Sequence, residues 1–175
     1  ASPPQPADHP ESHRPAAVFV IDPAAPGLLV RTAGEGDLPQ LARLSRLAWE
    51  ELEHQRGGPQ YLRELVRTPS DLLVDRAADV AVVCTIGSTV VGTLTASPII
   101  VGTGEAVGRV DAFYVEPAFR CVGAGAAMLA HLLGHARSNG WVSIDATALP
   151  GDRATKNFFE TAGLTTRRLI VSVDL

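Results

Sequence analysis

Cysteine is scarce in this chain. Cys84 and Cys121 are its two, and no metal-type spacing links them, which excludes a disulfide scaffold and leaves no metal centre to expect. A dominant charge is also missing: 15 Lys and Arg against 19 Asp and Glu give a formal net charge of −4. So near-neutral a balance lacks the basic footprint that binding to nucleic acid or to an anionic membrane needs. Long hydrophobic runs are absent too. The longest are strand-sized, so no transmembrane helix is expected, and no charged-then-apolar leader precedes the body. What these absences leave is a soluble cytoplasmic domain.

Proline is plentiful but uneven, with seven of the 13 in residues 1–26. That stretch lacks periodicity and reads as a flexible Pro-rich tail, unable to bury enough apolar surface to offset its ordering entropy. Ala17–Ile21 is its one strand-like run. His9 and His13 have helical spacing but a proline between them, and too few ligands accompany them for a metal site. Residues 27–175 are enough chain for one ordinary domain with a real core.

Within that domain the period of the apolar residues changes several times. Leu28–Thr32 reads as a strand. Asp37 and Gln40 have capping-box spacing, and Leu38, Leu41, Leu44, Ala48 and Leu52 follow at helical intervals. Gly57-Gly58-Pro59 ends that helix and opens a second, to about Arg67, with Thr68–Asp71 as a further boundary. Val80–Ile86, Thr89–Ile100 and Val107–Val115, joined by short glycine-containing turns, read as an antiparallel meander. A helix then opens at Gly125 with Met128, Leu129, Leu132, Leu133 and Ala136 as its stripe, closed by Asn139-Gly140. Trp141–Thr147 reads as a strand, Asp152 to Ala162 as a helix, and Leu164–Leu175 as one or two closing strands. The order β-α-α-β-β-β-α-β-α-β predicts an α/β (α+β) fold, a mixed and mostly antiparallel sheet flanked by helices.

Chemistry concentrates where the third strand of the meander ends. Arg120-Cys121-Val122-Gly123-Ala124-Gly125-Ala126 leads from that strand straight into a helix. Backbone N–H groups at a helix start, unobstructed at two glycines, make an anion cradle, and Arg120 adds a positive charge at its edge. The alternative is a glycine-rich turn that tightens helix–strand packing. A dinucleotide fingerprint is a weaker rival. Gly123-x-Gly125 has Met128 in place of the third glycine, and Asp145 follows at a ribose-binding distance, but antiparallel hairpins precede the loop. His131 and His135 share a helix face without a third ligand and read as solvated histidines. Trp49 and Trp141 read as core or interface residues.

The segment Arg120-x-x-Gly123-x-Gly125, after a strand ending Val115-x-Pro117, resembles the acyl-CoA pyrophosphate loop of the GNAT superfamily of N-acetyltransferases. The likeness extends from about Leu28 to Leu175 and includes Phe159-Glu160-x-x-Gly163-Leu164. It implies acetyl-CoA-dependent transfer of an acetyl group to an amine by direct attack, with acetyl-CoA as acyl donor and no metal. It further implies that Phe113 to Val115 lie along pantetheine, with the Val115 amide donating to the thioester carbonyl. Cys121, Val122, Gly123, Ala124, Gly125 and Ala126 would hold the pyrophosphate. Cys121 is then a backbone donor rather than a nucleophile.

Asp111 stands where many members carry a glutamate and is the candidate base for deprotonating the amine, through a water; a solvated carboxylate or a partner for Arg109 is the alternative. Strand alternation would set it on the face of Phe113 and Val115, opposite Tyr114. The family's tyrosine, which protonates the leaving thiolate, is here Phe159. The thiolate therefore leaves unaided, or Tyr114 or Tyr61 substitutes. The asparagine that begins the same helix aligns with Asp152, with Asn157 nearby. The acceptor, a small-molecule amine or a protein amine, is not specified, although Glu50, Glu51, Glu53 and His54 form an acidic cluster near the helix pair. A homodimer is a reasonable expectation. An acetyl-CoA-binding or sensing module without efficient catalysis is the alternative that Phe159 raises.

Overall fold

The structure, a computed structural model, describes residues 27–64, 80–171 and 173. The expected N-terminal tail, the end of the second helix and the Thr68–Asp71 boundary lie outside the described residues. Among the described residues, five strands and four α-helices follow in the order β1 (Leu28–Thr32), α1 (Leu38–Glu53), α2 (Gly58–Glu64), β2 (Val80–Ile86), β3 (Thr89–Ile100), β4 (Ala106–Val115), α3 (Ala124–Ser138), β5 (Ser143–Asp145) and α4 (Arg153–Thr161). The sheet order is β1-β2-β3-β4-β5, antiparallel except for the β4–β5 pair. This is the mixed, helix-flanked sheet that the alternation of periods predicts. The predicted closing strand is the exception. Residues 164–171 form no strand, and Leu169, Ile170 and Val171 lie exposed.

The two faces of the sheet bury different helices. On one, Val82, Leu94, Ala96 and Val110 pack against Met128, Leu129 and Leu132 of α3 and Phe159 of α4. On the other, Val83 and Val90 meet Leu41 and Leu44 of α1, with Tyr114 packed alongside. The stripe read from α3 is thus its buried face, with Leu133 partly buried. In α1 the stripe begins later than expected, because Leu38 remains exposed. The expected capping box does not form either. Asp37 turns its carboxylate to Nη1 and Nη2 of Arg31, at 2.6 and 2.8 Å, and to the Gly34 amide. Gln40 instead accepts from the Val90 amide of β3 at 2.7 Å. A bidentate, charge-assisted pair from the neighbouring strand outcompetes a neutral local cap.

Two irregularities in the sheet shape the site. Thr95 pairs with Ala112, but the next residue, Ala96, pairs with Val110, so Asp111 is an extra residue in β4. Such a bulge bends its strand and resets the alternation of side chains. Val110 and Phe113 accordingly both face the α3 core. On the other side of β4, the parallel ladder to β5 ends at Arg109↔Asp145. The last six residues of β4 therefore run on without a β5 partner.

Candidate active site

The open side of β4 runs directly into the loop singled out by the sequence. A short 3-10 turn spans Pro117–Phe119, Cys121 takes φ 67°, and Gly123, the residue before α3, takes φ 85°. Two left-handed residues two positions apart bend the chain into the helix start, forming a turn, or nest, that leads onto the free amides of α3. The first intrahelical bond is Ala127 N–H to Gly123 C=O at 2.9 Å. The amides of Ala124, Gly125 and Ala126 thus precede the first intrahelical donor and point out of the helix start. Left-handed backbone favours glycine, which suits Gly123 and makes the exposed Cys121 a strained exception.

Gly125 is there for packing. A Cβ at this position would lie 3.1 Å from the Phe113 ring and 3.4 Å from Phe158. Phe113 stacks on Phe158 with centroids 5.3 Å apart, and Phe159 lies 5.7 Å from Phe113. The lack of a side chain at Gly125 therefore lets α3 approach an aromatic cluster that joins β4 to α4. Phe159 is nearly buried in that core.

Arg120 sits differently from its expected role. Its Nε donates to the Val115 carbonyl at 2.9 Å and its Nη2 to Glu51 Oε2 at 2.7 Å, while its guanidinium lies over the Tyr114 ring. Hydrogen bonding to Glu51, opposed by burial, raises the pKa of Arg120 further. The positive charge next to the cradle is thus already paired with α1. The cradle itself is neutral backbone.

Asp111 projects to the face opposite the one expected. Ser97 Oγ donates to Asp111 Oδ2 at 2.6 Å, and Arg109 Nε donates to Asp111 Oδ1 at 3.0 Å. The bulge turns Asp111 away from Phe113 and toward the α1–α2 side, where Tyr114 also lies; simple alternation fails because one residue is inserted. Tyr61 of α2 is in electrostatic range of Asp111 and beside Thr147, and burial pushes its phenol pKa up. Burial also raises the pKa of Tyr114, with Glu51 adding to the shift. Both phenols therefore keep their protons at neutral pH. Sequence reasoning gave Ser97 and Thr147 no place in the site, and a lone hydroxyl gives no periodic signal by which to find them.

The structure places the remaining sequence candidates on and around α4, β5 and α3. Asp152 caps α4, accepting from the Thr155 amide at 3.0 Å, and Asn157 is exposed on that helix. Asp152 also lines a groove of about 330 Å³ with Gln55, Arg56, Pro150 and Gly151. Asp145 pairs with Arg167 at 2.9 Å. His135 packs edge-on against Trp141. Cys84 is buried, with its thiol pushed up to about 11 by desolvation. Among the described residues no three His, Cys, Asp or Glu side chains are grouped to hold a metal ion.

This geometry can be compared with known proteins. The model of the acetyltransferase (GNAT) family matches residues 40–164. The chain belongs to that family. No curated protein sequence matches the chain. Among solved structures, this GNAT chain is similar to an aminoglycoside acetyltransferase from an uncultured soil metagenomic sample, in complex with sisomicin. Identity is 18%, covering 85% of this chain and 95% of that one, with a TM-score of 0.65. The ribosomal-protein-alanine N-acetyltransferase of Brucella melitensis biovar Abortus 2308 is similar at 17% identity, covering 85% and 99%, with a TM-score of 0.65. AAC(6')-Iy, in complex with the bisubstrate analogue CoA-S-monomethyl-acetylneamine, is similar at 16%, covering 85% and 98%, with a TM-score of 0.64. At these identities the neighbours establish the GNAT fold. Family membership displaces the dinucleotide-binding reading, whose βαβ units the antiparallel sheet does not supply.

Proposed function

We propose that this chain is an acetyl-CoA-dependent N-acetyltransferase that moves an acetyl group to a primary amine by direct attack. The observation that carries the reading is the parting of β4 from β5 after Arg109 and Asp145, beside the nest at the start of α3. An extended donor with a pyrophosphate fits such a pair of features: strand backbone for its amide-bearing arm, free amides for its anionic part. The residues that would hold it are Phe113 to Val115 along β4 and Cys121 to Ala126 in the loop. When bound, the donor supplies the thioester carbon that the amine attacks. Asp111 accepts the proton that the ammonium must lose. Phe159 has no proton to give, so Tyr114, protonated and on the same side of the sheet as Asp111, is the candidate donor to the leaving group. The acidic side chains on α1 suit a cationic acceptor.

Thiol release from acetyl-CoA, measured across a panel of small amines, amino acids and peptide N-termini, tests the reading. Release above background with at least one amine is expected. Tight acetyl-CoA binding with no release for any amine would instead make the chain a binding or sensing module. Gly123→Glu should abolish acetyl-CoA binding in calorimetry, since a carboxylate side chain would fill the nest. Unchanged affinity in that variant would sink the assignment of the loop.

A further inference from the structure

Among the described residues, the carboxylate of Asp111 is held by two unlike partners. Ser97 is buried, at 6% exposure, and its hydroxyl makes the shorter bond, 2.6 Å to Oδ2. Arg109 reaches Oδ1 at 3.0 Å, but its side chain is 56% exposed while that of Asp111 is only 12% exposed. An exposed guanidinium is exchangeable with water and with an incoming cation, whereas a buried hydroxyl across a β ladder is not. Ser97 stands opposite Arg109 in the β3–β4 register, one step from the bulge. A single bond from exposed Arg109 would leave the carboxylate able to turn about χ1. The Ser97 bond removes that freedom and leaves Oδ1 as the oxygen turned to the mobile partner.

We infer that Ser97 is the positioning residue of the site: it fixes the Asp111 carboxylate so that Oδ1, bonded among the described residues to exposed Arg109, meets the acceptor ammonium. The inference rests on Asp111 being the base. Removing the hydroxyl leaves the carboxylate buried with one fixed partner fewer and several rotamers to occupy. Misplacement of a base by about 1 Å costs on the order of 10- to 100-fold in rate.

The test is a double-mutant cycle with an amine that the panel identifies, together with crystal structures of the ligand-free variants. Ser97→Ala should lower kcat by roughly tenfold while leaving the KM for acetyl-CoA unchanged, and Ser97→Thr, which keeps a hydroxyl, should recover most of the rate. In an Asp111→Asn background, Ser97→Ala should cost nothing further. An equal loss in both backgrounds would mean that Ser97 acts through packing, and would overturn the inference while leaving Asp111 in place. A full rate in Asp111→Asn alone would remove the base assignment itself, and the positioning role with it. The structures decide the matter independently of turnover: Asp111 should occupy a new rotamer, or two, in Ser97→Ala. An unmoved carboxylate there would also overturn the inference.

Discussion

Cys121 and Asp37 show how differently single residues relate to this fold. Cys121 holds φ 67° without being glycine, a conformation that costs a side chain about 1 kcal/mol or more. Its backbone, not its thiol, explains its place in the nest. Asp37 is nearly buried and is held by Arg31 and the Gly34 amide. The Arg31 hydrogen bonds lower its pKa, against an opposing effect of burial. Because the folded-state pKa lies below the unfolded one, its contribution is fully present above about pH 4 and is lost as pH falls through the folded value. Asp37→Asn should therefore lose on the order of 1 kcal/mol at pH 7. Urea unfolding from pH 7 down to pH 3 should show that difference shrinking only at the acid end. Neither residue's role was legible in full. The Asp37–Gln40 spacing suggests a cap, but spacing carries no information about an arginine arriving from β1.

At the scale of elements, the sequence was most readable where one period persists. Met128 to Ala136 repeat at helical intervals and are buried as a stripe, and the three strands of the meander lie within a residue of their expected bounds. Periodicity fails where one residue is inserted, as at Asp111, and where a segment is short, as in β5. The close approach of Trp141, just after α3, to β4 is another contact that no local pattern announces. A Cβ on Gly108 would fall 2.2 Å from the Trp141 ring, whose backbone N–H caps α3 through Ala136 C=O at 2.9 Å. Gly108→Ala should thus push the indole off β4 and destabilise the protein by about 2–3 kcal/mol. Thermal unfolding would read the loss, and the tryptophan emission would shift to longer wavelength. Combining it with Trp141→Leu should recover part of the stability, because a smaller side chain leaves room for the methyl group.

At the scale of the whole molecule, two ion pairs tie α1 to the segment that follows β4. Arg43 bonds Glu116 Oε1 at 2.7 Å and the Val90 carbonyl at 2.9 Å, and Arg120 bonds Glu51. The helix expected to face the acceptor is therefore linked to the loop expected to hold the donor. Glu51 also offsets the positive charge nearest that loop. Glu51→Gln should tighten acetyl-CoA binding by roughly two- to threefold at low ionic strength, an effect worth about 0.5 kcal/mol. The gain should fade in 0.5 M salt, as screened electrostatics require. Weaker binding in this variant would show that the pair serves to hold the loop in place rather than to moderate its charge.

The sequence by itself determined the family, the succession of strands and helices from β1 to α4, and the loop where a strand gives way to the start of α3. These are local properties: the period of apolar residues, the position of glycines, and a motif of neighbouring residues. Only the tertiary structure decided which face Asp111 occupies, that Arg120 is spent on Glu51, that Gly125 makes room for an aromatic cluster, and that Ser97 bonds Asp111. Each of these depends on a contact between residues far apart in the chain, or on a break in register that resets every side chain beyond it. A pattern read along one strand contains neither.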